Sequence, residues 1–254
     1  MVRLVAILFT IHYSLFTTPA RAQVGEYRTD FAVGVNGGYI MSNVAFVPKV
    51  PQGMLGGPTI GLTARLTSEK YFNSICAIVG ELNYAQIGWK ENILDFSDKP
   101  VPRYDDETQF LDYSRKINYV QIPVFARLGW GRERKGLQFF FQVGPQMGIF
   151  LSESTNTNLI PGIQPTEPRS SNIVAQETMP VEKKFDYGIV GGLGLEFSHP
   201  KVGHFLVEGR FYYGLGNIYG SSKRDYFARS NYNNIVIKFT YLFDIIRTRN
   251  SKIK

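Results

Sequence analysis

His199 and His204 stand five positions apart in Ser198-His199-Pro200-Lys201-Val202-Gly203-His204. Imidazole is a common metal ligand and a proton carrier near neutral pH. The pair therefore raises two chemistries: a two-histidine metal site, or the base of a Ser-His-Asp hydrolase. The stretch itself holds no acid and no cysteine to complete either one. Tyr104-Asp105-Asp106-Glu107 offers carboxylates to Ca²⁺, but without the spaced oxygen ligands of a calcium loop. It reads as a solvated loop. Gly191-Gly192-Leu193-Gly194 lacks the Lys-Ser/Thr of a phosphate loop and a helix after it. Cys76 is the single cysteine, so no internal disulfide is expected. Beside Ile78 and Leu82 it reads as a small hydrophobe. The expectation is no catalytic residue, no metal and no cofactor.

The polar residues that remain are more telling. Arg65, Arg127, Arg210 and Lys238 face Glu81, Asp186, Glu196 and Glu208 in number, four cations against four anions. Each lies within an otherwise apolar segment. The elements that position them are read from a period of two. In Leu137–Leu151 one alternate set is Leu, Phe, Phe, Val, Pro, Met, Ile, Leu. The other is mainly Gln and Gly. A period of two puts the sets on opposite faces of a strand. The alternation recurs around 59–66, 119–128, 185–197, 205–213 and 234–243, with further candidates at Asp30–Ser42 and Ser74–Trp89. That predicts eight strands, several longer than the five or six residues usual in soluble proteins. One face is hydrocarbon and aromatic, the other Gln, Gly and charge, so lipid outside and a narrow polar lumen inside is the reading. A spanning strand needs about 9–11 residues. The eight charged residues are then expected to form a paired network in the lumen. The network either rigidifies the barrel or lines a solute path.

The links agree. Short ones at Ser68–Phe72, Gly131–Lys135 and Ser198–Val202 alternate with long ones near Asn43–Gly57, Lys90–Tyr113, Ser152–Lys183 and Asn217–Ser230. Outer-membrane barrels have short periplasmic turns and long outer loops. An eight-stranded barrel has an interior just filled by side chains, which disfavours an open pore. Ser152–Lys183 is expected to be the partner-binding or mobile element. Pro123 and Pro145 fall inside strands and are expected to mark bulges. Trp130, on the lipid parity at the short-turn rim, is expected to be an interface anchor. Trp89 falls on the lumen parity. Residues 1–22 have the layout of a signal peptide, with an apolar run to Phe16 and cleavage expected after Ala22. The barrel domain is expected at 23–246 and a basic tail at 247–254. Lys and Arg number 28 against 21 acids, and Arg247, Arg249, Lys252 and Lys254 supply four of the surplus. The basic balance is thus largely a tail effect, and no nucleic-acid partner is expected.

RLTSEKYF (65–72), GELNYAQIGWKE (80–91), YVQIPVFARL (119–128), FQVGPQMGIFLSE (141–153), FDYGIVGGLGLEF (185–197) and VEGRFYYGLGNIYG (207–220) resemble the PorT-like family of outer-membrane β-barrel proteins. The resemblance covers nearly the whole exported chain. It implies a small all-β barrel in the outer membrane of a Gram-negative bacterium, in contact with outer-membrane lipid and with secretion-machinery or surface proteins. The family's namesake is needed for type IX secretion, and the family offers no catalytic residues to carry over. A small-solute pore, a lipid- or peptide-modifying barrel enzyme and a ligand-binding lipocalin-like barrel are the rival readings.

Overall fold

The computed structural model describes residues 26–71, 73–106, 108–159, 168–220 and 225–247. Residues 1–22, read as the signal peptide, and the tail beyond Arg247 lie outside the described residues. In chain order the strands are β1 (Glu26–Val47), β2 (Gln52–Gly53), β3 (Leu55–Tyr71), β4 (Ser74–Glu91), β5 (Tyr113–Gly131), β6 (Gly136–Thr157), β7 (Phe185–His199), β8 (Gly203–Gly214) and β9 (Arg229–Ile246). The eight long strands pair antiparallel with their neighbours along the chain. β9 returns to β1, so the sheet closes into a barrel. β2 is a two-residue addition on the end of β4, at Gln52↔Glu91 and Gly53↔Lys90. One helical turn, α1 (Ala175–Thr178), interrupts the longest loop.

The alternation is obeyed all round the ring. Ile60, Leu193 and Ile237 point outward and are more than half exposed, while Thr59, Thr63, Gln142, Glu196 and Lys238 point inward and are buried. A continuous exposed apolar belt of this kind has no place in water. No helix among the described residues is long and apolar enough to cross a membrane. The crossing elements are strands.

Two expectations are corrected by the register. The Asn43–Gly57 link is mostly strand: β1 runs on to Val47 and β3 begins at Leu55. The inward series continues through Val44 and Phe46, and Phe46 finds Trp89 and Phe227 to pack against. Pro123 and Pro145 mark no bulge. β5 and β6 hold one register from Tyr119↔Phe150 to Gly131↔Gln138, and β6 and β7 hold one throughout. The prolines only leave rungs out of the ladder, because neither has an N–H to donate. The irregularity lies instead between Asn118↔Ser152 and Tyr119↔Phe150, where Leu151 is the extra residue. There β6 is passing beyond Ile149, whose pairing with Phe185 is its last with β7. Gly144, opposite that proline gap, is required by close approach: a Cβ there would stand 1.8 Å from the Val124 carbonyl oxygen.

Candidate functional site

The strands deliver all eight predicted charged residues to the lumen, and none is more than 7% exposed. Seven of them form two ion-paired layers. At mid-height Arg210 on β8 donates to both oxygens of Glu81 on β4, at 2.8 and 2.6 Å, and to Glu208 at 2.5 Å. Lys238 on β9 donates to Glu81 at 2.7 Å. Gln142 on β6 donates to Glu208 at 2.7 Å, and Asn83 to Glu81 at 2.9 Å. Two cations and two anions make this layer neutral, as a buried cluster must nearly be. The Arg210 guanidinium also lies 4.6 Å from the Phe125 ring centroid.

Nearer the short-turn rim, Glu196 on β7 accepts from Arg65 at 2.7 Å and from Arg127. Arg127 sits over the Phe140 ring, 3.6 Å from its centroid. His204 joins this layer. Its Nδ1 is 2.7 Å from Glu196 and 2.8 Å from Ser198 Oγ, and its Nε2 is 3.0 Å from Asp244. So the histidine does have acidic partners, brought from β7 and β9 across the barrel wall. The stretch around it could not show them. Ser198, His204 and Asp244 are in hydrogen-bond order like a hydrolase triad. Ser198 is 1% exposed, however, and Glu196 shares the imidazole nitrogen that faces it. No substrate carbonyl can reach that hydroxyl. A small depression opens beside this layer between Arg65, Arg127, His204, Asp244 and Arg247. Among the described residues no group of three His, Cys, Asp or Glu is arranged to hold a metal.

Asp186 departs from the expected pairing. Its partner is the Tyr212 hydroxyl at 2.7 Å, not a cation. It belongs to a third layer in which Tyr119 and Tyr232 cross edge to face, 5.8 Å between centroids. Above it, Phe46, Trp89, Tyr219 and Phe227 fill the mouth at the long-loop rim. Trp89 is on the lumen parity as expected and is fully buried.

The described part of the long loop is not a free arm. α1 folds into the mouth, and Gln176 has no exposed surface. Tyr113 Oη–H donates to the carbonyls of Gln176 and Glu177, at 3.2 and 3.3 Å. Arg115 donates to the carbonyls of Met179 and Glu177. Tyr219 Oη–H reaches Gln176 O at 3.4 Å. This corrects the expectation for Ser152–Lys183: the segment 168–184 caps the barrel. Tyr113 and Arg115 lie before the clear alternation that begins at Tyr119. The signal was present, since Tyr113, Arg115, Ile117 and Tyr119 continue the inward series.

On the outside, Trp130 at the short-turn rim is 38% exposed, stacks on Phe139 at 6.2 Å and donates from Nε1 to Ser74 Oγ at 2.8 Å. Cys76 is half-buried on the same outer face. Asp106 at the loop tip is engaged locally, accepting from Thr108, and Asp105 pairs with Arg103.

Among solved structures, the chain is similar to outer membrane protein OprG of Pseudomonas aeruginosa, with 14% identity over 86% of this chain and 98% of that one and a TM-score of 0.41. Neisserial surface protein A gives 8% identity over 84% and 97%, TM-score 0.39. Ail, the attachment invasion locus protein of Yersinia pestis, in complex with the heparin analogue sucrose octasulfate, gives 13% over 84% and 99%, TM-score 0.34. No curated protein sequence matches. The family described as outer membrane protein beta-barrel domain matches residues 21–220. A closed ring of antiparallel strands with hydrocarbon outside fits that family's description, and the chain belongs to it.

Proposed function

We propose that the protein is a non-conducting, non-enzymatic outer-membrane barrel that works through its outer rim, assisting protein secretion or surface assembly. The sealed lumen carries this reading. Two ion-paired layers, a tyrosine layer and the cap fill the interior from rim to rim. A solute path would need that stack dismantled. The work is then left to surfaces outside the lumen. β6 continues to Thr157, well past its last rung with β7, with β5 as its paired neighbour among the described residues. Such a strand edge at the outer rim is a template for an added chain.

In this reading the eight charged residues serve structure: they fix the barrel's register and close it. Trp130, amphipathic and stacked on Phe139, anchors the periplasmic interface. Residues 1–22 act as the export signal, cleaved after Ala22. The secretion role rests on the resemblance of the strand phrases to the PorT-like family, which is an analogy of family rather than of site.

The test compares the surface and extracellular proteome of a deletion strain with its parent. Retention of type IX cargo in the periplasm, reversed by complementation, is the expected result. Normal cargo delivery would exclude the secretion role and leave other outer-rim partners.

A further inference from the structure

The outward face of β4, β5 and β6 changes character above its apolar belt. On β4 the outward series ends in Leu82 and Tyr84, then turns to Gln86. On β5 it runs from Leu128 up to Val120, then to Asn118 and Lys116. The register sets these residues side by side. Gln86 lies opposite Asn118, and Asn118 opposite Ser152. In the next row Gly88 lies opposite Lys116, and Lys116 opposite Ser154.

The hydrogen bonds within this patch have one direction. Tyr84 Oη–H donates to Asn118 Oδ1 at 2.9 Å, and Gln86 Nε2 donates to the same oxygen at 3.2 Å. Asn118 Nδ2 donates to Ser152 Oγ at 2.9 Å. Asn118 Oδ1 accepts two of these bonds and Ser152 Oγ one. The hydrogens left over belong to donors: the Ser152 hydroxyl and the second amide hydrogens of Gln86 and Asn118. Lys116 adds an exposed ammonium, and no acid among the described residues pairs with it. The nearby Lys90 is already paired with Asp112 at 2.8 Å.

We propose that this patch is a binding site for the phosphorylated sugar headgroup of an outer-leaflet glycolipid. Lys116 takes the phosphate, and Gln86, Asn118 and Ser152 donate to phosphate and sugar oxygens. Two observations select that occupant. The patch offers donors and positive charge, complementary to an anionic, oxygen-rich group. It also begins where the lipid-facing belt ends, at the depth of headgroups, and acyl chains below it would lie on Leu82, Val120 and Ile149.

The test uses the full-length protein in zwitterionic detergent, titrated with bis-phosphorylated lipid A and read by native mass spectrometry of bound lipid. The wild type should retain the glycolipid, and dephosphorylated lipid A should bind more weakly. Lys116→Glu should weaken binding by about tenfold or more, since it removes a cation at an anionic surface and puts a repelling charge in its place. Lys116→Gln should give an intermediate loss. Lys201→Glu, in the exposed periplasmic turn, is the control for bulk charge and should bind as wild type. Wild-type binding by Lys116→Glu would overturn the site. Equal loss in Lys201→Glu would overturn it too, by reducing the effect to net charge. Displacement of the glycolipid by millimolar inorganic phosphate would show a free-anion site and overturn the lipid assignment.

Discussion

Arg210 shows how much a single lumen residue carries. It satisfies Glu81 and Glu208 together and covers Phe125. Removing it leaves two buried carboxylates with Lys238 as the one cation of that layer. Breaking a buried pair from one side costs about 3–5 kcal/mol. Arg210→Ala is therefore expected to lower the barrel's unfolding free energy by about that amount, measured by urea titration of the refolded protein in detergent. Asp186→Asn is the contrast. Its partner is a tyrosine hydroxyl that can donate equally well to an amide oxygen. That variant is expected to lose about 1 kcal/mol or less, the scale of one neutral hydrogen bond. Equal losses in the two variants would contradict the layered reading. The inward parity of all eight charged residues was legible in the sequence, because a period of two needs no partner to be seen. Their pairings were not. Arg65 meets Glu196 from 131 positions away. That match depends on how the ring closes, which the order of residues along one strand does not contain. The acids that meet His204 are hidden for the same reason, since they arrive from β7 and β9.

The cap obeys a different logic from the strands. Tyr113, Arg115 and Tyr219 hold α1 through the main-chain carbonyls of Gln176, Glu177 and Met179. Carbonyls are present in every sequence, so the segment 168–184 announces nothing of its docking. The strands were legible, and the cap was not. Arg115→Ala should free the segment, seen as faster amide exchange at 175–179 with the strands unchanged. The cap should also respond to pH. Glu91 stands beyond the last outward apolar residue of β4, Tyr84, at the rim where β2 pairs. Burial raises its carboxyl to about 7, opposed by a hydrogen bond from Gln176 and reinforced by the nearby Glu177. A carboxyl with a raised value holds its proton more tightly when the cap is closed. Its contribution to closure is then complete below about 4.5, the value in the open chain, and is lost as pH rises toward and through about 7. Exchange at 175–179, corrected for intrinsic rates, should speed up between pH 5 and pH 8. Glu91→Gln should remove that dependence, and its persistence in the variant would place the titration elsewhere.

At the scale of the whole molecule, the order of the layers makes a claim about permeability. The cap and the aromatic mouth close the outer end, and the two ion-paired layers close the barrel below them. These seals are stacked and share no residue. If the cap alone were the gate, deleting 168–180 would give a pore. If the layers seal independently, that deletion should leave planar-bilayer conductance at the level of the wild type. Opening the lower layers alone should fail as well, because Trp89, Tyr219 and Phe227 still fill the mouth. Ion flow is expected only when every seal is removed together: the cap, the aromatic mouth, the tyrosine layer and both ion-paired layers. Conductance in the cap deletion by itself would mean that the ion-paired layers hold water paths between them. In that case the barrel would be a gated pore, and the outer rim would lose its claim to be the working surface.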